Sequence, residues 1–303
     1  MVSIATWFKA GRPQTLALSF ALIIVGSAVA AQVGCFRVLT FVLTLLTTLF
    51  LQLLSNFCND YGDYESGADL AGRRGPERML ATGGLTTTDV KRAMWFCGVS
   101  AFVAGVLLLF SVSDTLGLEG VLFMFGLGLL SIAAAIAYTV GKHPYGYMGL
   151  GDLSVFLFFG LLGVAGSYTL FAGRPSLSVF LPATAIGFFS IGVLNMNNLR
   201  DYDSDLRSGK RTLVVRLGTR WSRLYQAALV ILGLCIMGCY VALFGTPWQW
   251  LFLIAAPRLL LHVRTVLTTQ DHDVIAAQLK VMAVNTFLLS LLFAAGTVID
   301  KLI

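Results

Sequence analysis

Long apolar runs separated by short polar stretches dominate this chain, and the length of those runs is its first informative feature. Nine segments reach or approach the ~20 mostly apolar residues that a helix needs to cross a bilayer. They are 15–34, 38–57, 94–112, 119–140, 150–171, 177–198, 223–244, 247–265 and 280–299. Pro257 and Arg258 interrupt the eighth. Neither the two-residue alternation of strands nor a repeated hairpin signal occurs, which disfavours a β-barrel. The pattern predicts an all-α integral membrane protein of about nine transmembrane helices, forming a single domain over 1–303.

Composition sharpens this reading. Hydrophobic residues make up 57% of the chain and charged residues only 12%, against about a quarter charged in soluble domains. Mean hydropathy is +0.83. Trp7, Lys9 and Arg12 precede the first run, which continues past signal-peptide length and therefore reads as a span rather than a cleavable leader. The five cysteines show no paired metal spacing, and Cys235 and Cys239, one helical turn apart in a span, read as packing residues.

The net charge of +6 comes from basic residues at helix ends, which gives no reason to expect nucleic acid as a partner. With a cytoplasmic N-terminus, all the basic residues except Arg37, Arg174, Lys301 and the intramembrane Arg258 fall on the cytoplasmic side. The long polar connections 58–93 and 199–222 then share that side. An active site on the cytoplasmic face of a cell (inner) membrane is expected.

Two acidic stretches carry the chemistry. The second span runs into Asn56-Phe57-Cys58-Asn59-Asp60-Tyr61-Gly62-Asp63. If the helix continues, Asn56, Asn59, Asp60 and Asp63 fall at i, i+3, i+4 and i+7 and share one face. The sixth span ends similarly, in Asn195, Asn197, Asn198, Arg200, Asp201, Asp203 and Asp205, followed by Lys210 and Arg211. There Asn197 or Asn198, Asp201 and Asp205 fall at helical spacing.

Acids at span ends can be simple solvated loop residues. Two clusters that both begin inside apolar segments and lie on one membrane side point instead to cations, because gathered carboxylates repel one another until neutralised. Carboxylate and amide oxygens are hard ligands suited to Mg²⁺. Two acidic walls with bridging cations can hold a diphosphate, and Arg74, Arg78, Lys210 and Arg211 supply basic partners for its oxygens. A lipid-borne substrate can enter such a site sideways, and a dry aromatic cavity can protect an allylic cation from water.

The likeness to a known family rests on several segments read together. They are Gly11-Arg12-Pro13-Gln14-Thr15-Leu16, Leu54 through Gly67, Arg74-Gly75-Pro76-Glu77-Arg78, Tyr138-Thr139-Val140-Gly141 with Pro144-Tyr145-Gly146-Tyr147, Gly149-Leu150-Gly151-Asp152, Asn197 through Asp201, and Gly209 through Gly218. Over about 10–300 the sequence resembles the UbiA-type superfamily of intramembrane aromatic prenyltransferases, and most closely its 1,4-dihydroxy-2-naphthoate branch.

The resemblance implies a ring of nine helices around a central cavity and Mg²⁺ as cofactor. Polyprenyl diphosphate would be the donor and 1,4-dihydroxy-2-naphthoate the acceptor, with carbon dioxide and diphosphate released to give demethylmenaquinone for menaquinone synthesis. It assigns Asn56, Asp60 and Asp63 to the first metal motif and Asn198, Asp201 and Asp205 to the second. One departure stands out: Gly67 occupies a position where a broader form of the first motif carries an acid, with Glu65 and Asp69 nearby.

Tyr138, Tyr145, Tyr147 and Asp152 form an aromatic, glycine-rich connection that fits either an acceptor pocket, with Asp152 or a tyrosine holding a naphthol group, or an interfacial tyrosine belt. His143 reads as a solvated loop residue. Asp271, His272 and Asp273, bracketed by Arg264 and Lys280, read as a solvated turn. Phe156-Leu157-Phe158-Phe159 fits a prenyl tunnel or a lipid-facing surface. The nearest rival enzyme is a relative acting on 4-hydroxybenzoate or homogentisate. A cation transporter would place its acids near the bilayer midplane in broken helices, and a phospholipid-forming phosphotransferase would concentrate them in one run.

Overall fold

The computed structural model describes residues 2–67 and 78–303. Among them, nine helices are long and apolar enough to span a membrane: α1 (Pro13–Gln32), α2 (Val38–Glu65), α3 (Thr87–Ser111), α4 (Ser113–Ala137), α5 (Gly151–Ala172), α6 (Leu177–Arg200), α7 (Leu213–Phe244), α8 (Pro247–Thr268) and α9 (His272–Leu302). A short helix, Ile4–Ala10, precedes α1. This is the all-helical membrane architecture that the hydropathy pattern predicts.

The helices outrun the apolar segments at one end of the bundle. α2 continues to Glu65, and α3, α7 and α9 begin well before their hydrophobic runs. Hydropathy registers the length of chain suited to hydrocarbon, whereas the helices stop where local caps stop them. Thr86 and Asp89 form a reciprocal capping box at the start of α3. Thr212 accepts from Val215 N–H before α7, and Asp271 accepts from the N–H groups of Asp273 and Val274 before α9. Of these polar extensions, the end of α2 carries the first acidic motif, and the start of α9 borders the same polar space.

Spans α8 and α5 contain long stretches that depart from α geometry. In α8, Pro247–Ala255 is 3₁₀ and Ala256–Thr268 is α-helical, with Pro257 in its first turn, so that proline opens a helix rather than breaking one. In α5, Phe156–Gly166 is a π-helical stretch, a wider winding that is uncommon and often found at functional sites. Gly160 in that stretch meets Gly187 of α6 so closely that a Cβ at either would collide with the other helix or its packed side chains. Small residues at such crossings let membrane helices approach without a hydrophobic driving force.

Packing is uneven around the bundle. One large core joins α1, α5, α6, α7, α8 and α9, through residues such as Val25, Val164, Ile186, Phe189, Met237, Phe252, Met282 and Phe293. α7 and α8 back onto α6 and α9 as an outer layer rather than as part of the cavity wall. Cys235 and Cys239 of α7 point outward, exposed, instead of packing between helices. On the opposite side, α4 buries none of its residues. It leans on α2 and α3 and meets α5 chiefly through Ser167–Ala172, leaving its apolar side chains to lipid and to the cavity.

Candidate active site

A cavity of about 1460 Å³ runs between α1–α6 and the start of α9. Its deep part is apolar, with Leu109, Met124, Phe125, Phe158, Phe159 and Leu162 in its walls. Phe158 and Phe159 thus take the tunnel position, while Leu157 is exposed and Phe156 packs on Phe188. The other end is polar and contains Asp60 and Asp63 of the first motif together with Asn197, Asn198, Asp201 and Asp205 of the second. Motifs separated by about 140 residues therefore open on one space.

The first motif sits on an unbroken helix. Asp60 and Asp63 are 2% and 4% exposed, burial that a carboxylate tolerates only with partners. Arg78 Nη1 donates to Asp60 Oδ1 at 3.1 Å and to the Asn59 carbonyl at 3.0 Å, and its Nη2 donates to Asp63 Oδ2 at 2.5 Å. Lys210 Nζ stands 2.6 Å from Asp63 Oδ1, and Tyr147 Oη donates to that same oxygen at 2.6 Å. Burial, then the Asp63 charge, push the Tyr147 phenol well above its ordinary range, so it stays protonated and donates.

Arg12, to which sequence reasoning gave no role in the site, pairs with Asp60 and lines the cavity. Its backbone is left-handed, φ 49°, immediately before Pro13. Such a conformation is costly for a side chain other than glycine and concentrates at functional sites. The signal in the sequence was the Arg-Pro pair at the head of a span, where proline at the first helical turn disfavours an α conformation in the residue before it.

Asn56 braces the motif. Its Nδ2 donates to the Gly11 carbonyl at 2.9 Å and to Thr15 Oγ1 at 2.9 Å, and its Oδ1 accepts from Gln52 Nε2 at 3.0 Å. Asn59 Oδ1 accepts from Thr139 Oγ1 at 3.1 Å. This contact depends on Gly62, where a Cβ would lie 2.4 Å from the Thr139 carbonyl oxygen. The glycine lets the end of α2 pass against the 138–147 connection and brings the tyrosines to the acids.

The second motif straddles a break. α6 ends at Arg200, Asp201 adopts φ −92° and ψ 7°, and a short helix follows over Tyr202–Arg207. Backbone bonds from Asp201 N to Asn197 O (3.1 Å) and from Asp205 N to Asp201 O (2.8 Å) preserve the four-residue spacing across the break. Arg200 grips Asp201 with two parallel bonds, Nε to Oδ1 at 2.8 Å and Nη2 to Oδ2 at 2.6 Å, and also reaches Asn197 Oδ1 at 2.8 Å. Lys210 Nζ lies 3.7 Å from Asp205 Oδ1. Asn195 turns away from the cavity and donates to the Ser222 carbonyl and to Gln226.

Five other expectations need placing. Tyr138, Tyr145 and Tyr147 all line the cavity, which favours the pocket reading over an interfacial belt. Tyr138 and Tyr145 meet edge to face at 5.2 Å, and burial followed by the Asp152 charge raises the Tyr138 phenol, which remains a donor. Asp152 is not in the cavity wall; it accepts from Tyr225 Oη of α7 at 3.3 Å. Arg211 is exposed; its backbone N–H donates to the Tyr147 carbonyl at 2.8 Å, and its carbonyl accepts from Arg216 Nε at 3.1 Å. Arg74 lies outside the described residues. Asp273 and Lys280, read as part of a solvated turn, border the cavity mouth although both are exposed.

The donor set suits a hard dication. The polar end presents carboxylate oxygens of Asp60, Asp63, Asp201 and Asp205 and amide oxygens of Asn197 and Asn198, as Mg²⁺ requires. Among the described residues no three acidic, histidine or cysteine side chains converge as a closed metal cluster. Mg²⁺ ordinarily takes one or two carboxylates and completes its shell with water and substrate phosphates, so paired carboxylates on two walls fit it.

Comparison with known proteins agrees with this geometry. Residues 19–295 match the UbiA prenyltransferase family. The chain is 43% identical over 297 residues to the 1,4-dihydroxy-2-naphthoate octaprenyltransferase of Escherichia coli K12, covering 97% of this chain and 96% of that protein. It is 41% identical, with the same coverage, to the Haemophilus influenzae protein of that name. Among solved structures, the apo form of a UbiA homologue from Aeropyrum pernix superposes with a TM-score of 0.69 at 16% identity, covering 96% of this chain and 99% of that one. A UbiA homologue from Archaeoglobus fulgidus bound to GPP and Mg²⁺ superposes with a TM-score of 0.65 at 12% identity, covering 98% and 100%. The chain belongs to the UbiA prenyltransferase family.

Proposed function

We propose that this protein transfers a polyprenyl group from its diphosphate to 1,4-dihydroxy-2-naphthoate, releasing carbon dioxide and diphosphate. The observation that carries the reading is a cavity whose polar end holds both acidic motifs and whose other end is an apolar channel. The extent of identity to two naphthoate octaprenyltransferases supports this acceptor over 4-hydroxybenzoate or homogentisate.

Asp60 and Asp63 on one wall, and Asp201, Asp205 and Asn198 on the other, would hold Mg²⁺. When bound, the metal supplies positive charge that neutralises diphosphate oxygens and eases departure of the leaving group. Arg78 and Lys210, already turned into the site, offer charge-assisted hydrogen bonds to the same oxygens. Asn56 keeps the first motif in register with α1. The lipid bilayer delivers the donor, and the weakly packed seam between α4 and α5 is its side entrance. The tail then lies along Phe125, Phe158 and Phe159, which exclude water from the allylic centre.

The donor's allylic C–O bond breaks with its electron pair leaving on diphosphate. The ring carbon bearing the carboxylate bonds to the allylic carbon, and the C–carboxylate bond then returns its pair to the ring as carbon dioxide departs. Tyr138, protonated and at the polar rim, holds an acceptor oxygen by donating to it. The excess of basic residues at this end of the bundle supports the cytoplasmic face as the side of this chemistry.

Purified protein with Mg²⁺, octaprenyl diphosphate and a panel of aromatic acids tests the assignment by product mass. Decarboxylated prenyl-naphthoquinol is expected as the principal product. Preferential prenylation of 4-hydroxybenzoate with its acid retained would transfer the assignment to the rival branch.

A further inference from the structure

Lys210 reaches both motifs. Its Nζ is 2.6 Å from Asp63 Oδ1, 3.7 Å from Asp205 Oδ1 and 4.5 Å from the centre of the Tyr147 ring. Its side chain is only 11% exposed. The loop around it is fastened on both sides: Lys210 N–H donates to the Asp205 carbonyl at 2.9 Å, and Arg211 N–H donates to the Tyr147 carbonyl at 2.8 Å. Gly209, with φ +77°, makes the turn that aims the side chain inward. Lys210 is therefore built into the space between the acidic walls.

Both oxygens of its partner Asp63 are engaged. Oδ1 accepts from Lys210 and Tyr147, and Oδ2 accepts from Arg78. A dication approaching Asp63 meets a carboxylate already neutralised, with an ammonium beside it. A lysine that served only as a diphosphate ligand would have no need to bridge the carboxylates of both motifs.

We infer that Lys210 is a resident counter-cation that makes metal and diphosphate binding strongly interdependent, because it holds Asp63 and Asp205 until diphosphate oxygens offer it a new partner. The inference rests on the proposed reading that these motifs hold Mg²⁺. Coupling of this kind is reciprocal: metal strengthens diphosphate binding by the same factor that diphosphate strengthens metal binding. It keeps the enzyme from filling with metal in the absence of donor. It also predicts an inversion of sign. Removing the lysine charge tightens binding of metal alone while weakening binding of diphosphate. A lysine acting only on diphosphate would leave metal-alone binding unchanged.

The test is direct titration of the full-length protein in detergent with Mn²⁺, free Mn²⁺ being read by electron paramagnetic resonance. It is run alone and with a saturating, unreactive prenyl thiodiphosphate. Without the analogue, Lys210→Met and Lys210→Gln are expected to bind Mn²⁺ roughly tenfold or more tightly than wild type, given the charge removed at close range. Lys210→Arg, which keeps the charge, and Arg220→Gln, on an exposed residue at the same end of the bundle, should stay near wild type. With the analogue, wild type should gain at least about tenfold in Mn²⁺ affinity, in the range of strong allosteric coupling, and Lys210→Met much less. Equal or weaker metal-alone binding in both neutral variants overturns the inference while leaving the metal site standing. Failure of wild type to bind Mn²⁺ even with the analogue overturns the metal-site reading itself.

Discussion

The two acidic motifs read alike in sequence but are held in different ways. The first lies on an unbroken helix and is tied to distant parts of the chain: Arg12 from the approach to α1, Arg78 from before α3, Tyr147 from the α4–α5 connection and Lys210 from beyond α6. The second bends at Asp201, whose carboxylate is gripped by its own neighbour, Arg200. The first motif is thus a junction at which loops of both halves converge, while in the second Arg200 grips Asp201 from the adjacent position and Lys210 reaches Asp205. A buried carboxylate is stable only while its partners stay, so the first motif ties assembly of the whole polar rim to its two acids.

If the motifs are opposite walls of one diphosphate site, this asymmetry should vanish when the acids themselves are removed. Asp60→Ala and Asp201→Ala are each expected to lower kcat by about a thousandfold or more, on the scale of losing transition-state charge stabilisation. The protein should stay helical by circular dichroism, EDTA should reproduce the loss in wild type, and Mg²⁺ should reverse it. Robust turnover by either variant would break the idea of a shared site.

The asymmetry should reappear when the partners are removed. Arg78→Ala removes charged hydrogen bonds to both acids of the first motif, and the donor KM should rise roughly ten- to a hundredfold, with a smaller change for the acceptor. Arg200→Ala should cost less, because Asp201 is held locally by the backbone turn as well. Equal effects would mean the two walls are supported alike. A reversed pattern, with Arg78→Ala weakening only the acceptor, would move Arg78 into the naphthoate pocket.

Tyr147→Phe tests a single neutral donor on Asp63. Loss of one such bond should change kcat/KM by about two- to tenfold. Asp152→Asn should change it least, within about twofold, because Asp152 lies outside the cavity beside Tyr225. A large slowing in Asp152→Asn, with donor KM unchanged, would return that carboxylate to the chemistry.

Much of this arrangement was legible before the structure. Spacing at i, i+3, i+4 and i+7 placed Asn56, Asn59, Asp60 and Asp63 on one face, and α2 does run through them. The second motif kept its four-residue spacing despite the break at Asp201, since backbone bonds bridge it. Loop residues were another matter. Nothing in the order Lys210-Arg211 says which side chain turns inward, because an extended loop has no period; Gly209 and the Tyr147 carbonyl decide it. Arg12 was hidden for a similar reason, since its left-handed backbone and its pairing with Asp60 arise from tertiary contact. Asn195 shares the second motif's composition but faces α7, where Gln226 and the Ser222 carbonyl claim it. Hydropathy likewise could not foresee the π-helical winding of α5, because it registers apolar length and not helical pitch.

The central claim is that the prenyl group replaces the acceptor's carboxylate in a cavity shared by both motifs. Acceptor labelled with ¹³C at the carboxyl, turned over by the purified protein with octaprenyl diphosphate and Mg²⁺, tests it most directly. The account predicts labelled carbon dioxide and diphosphate in equal amounts, appearing together and lost together in Asp60→Ala and Asp201→Ala. A prenylated product that keeps the labelled carboxyl would contradict it.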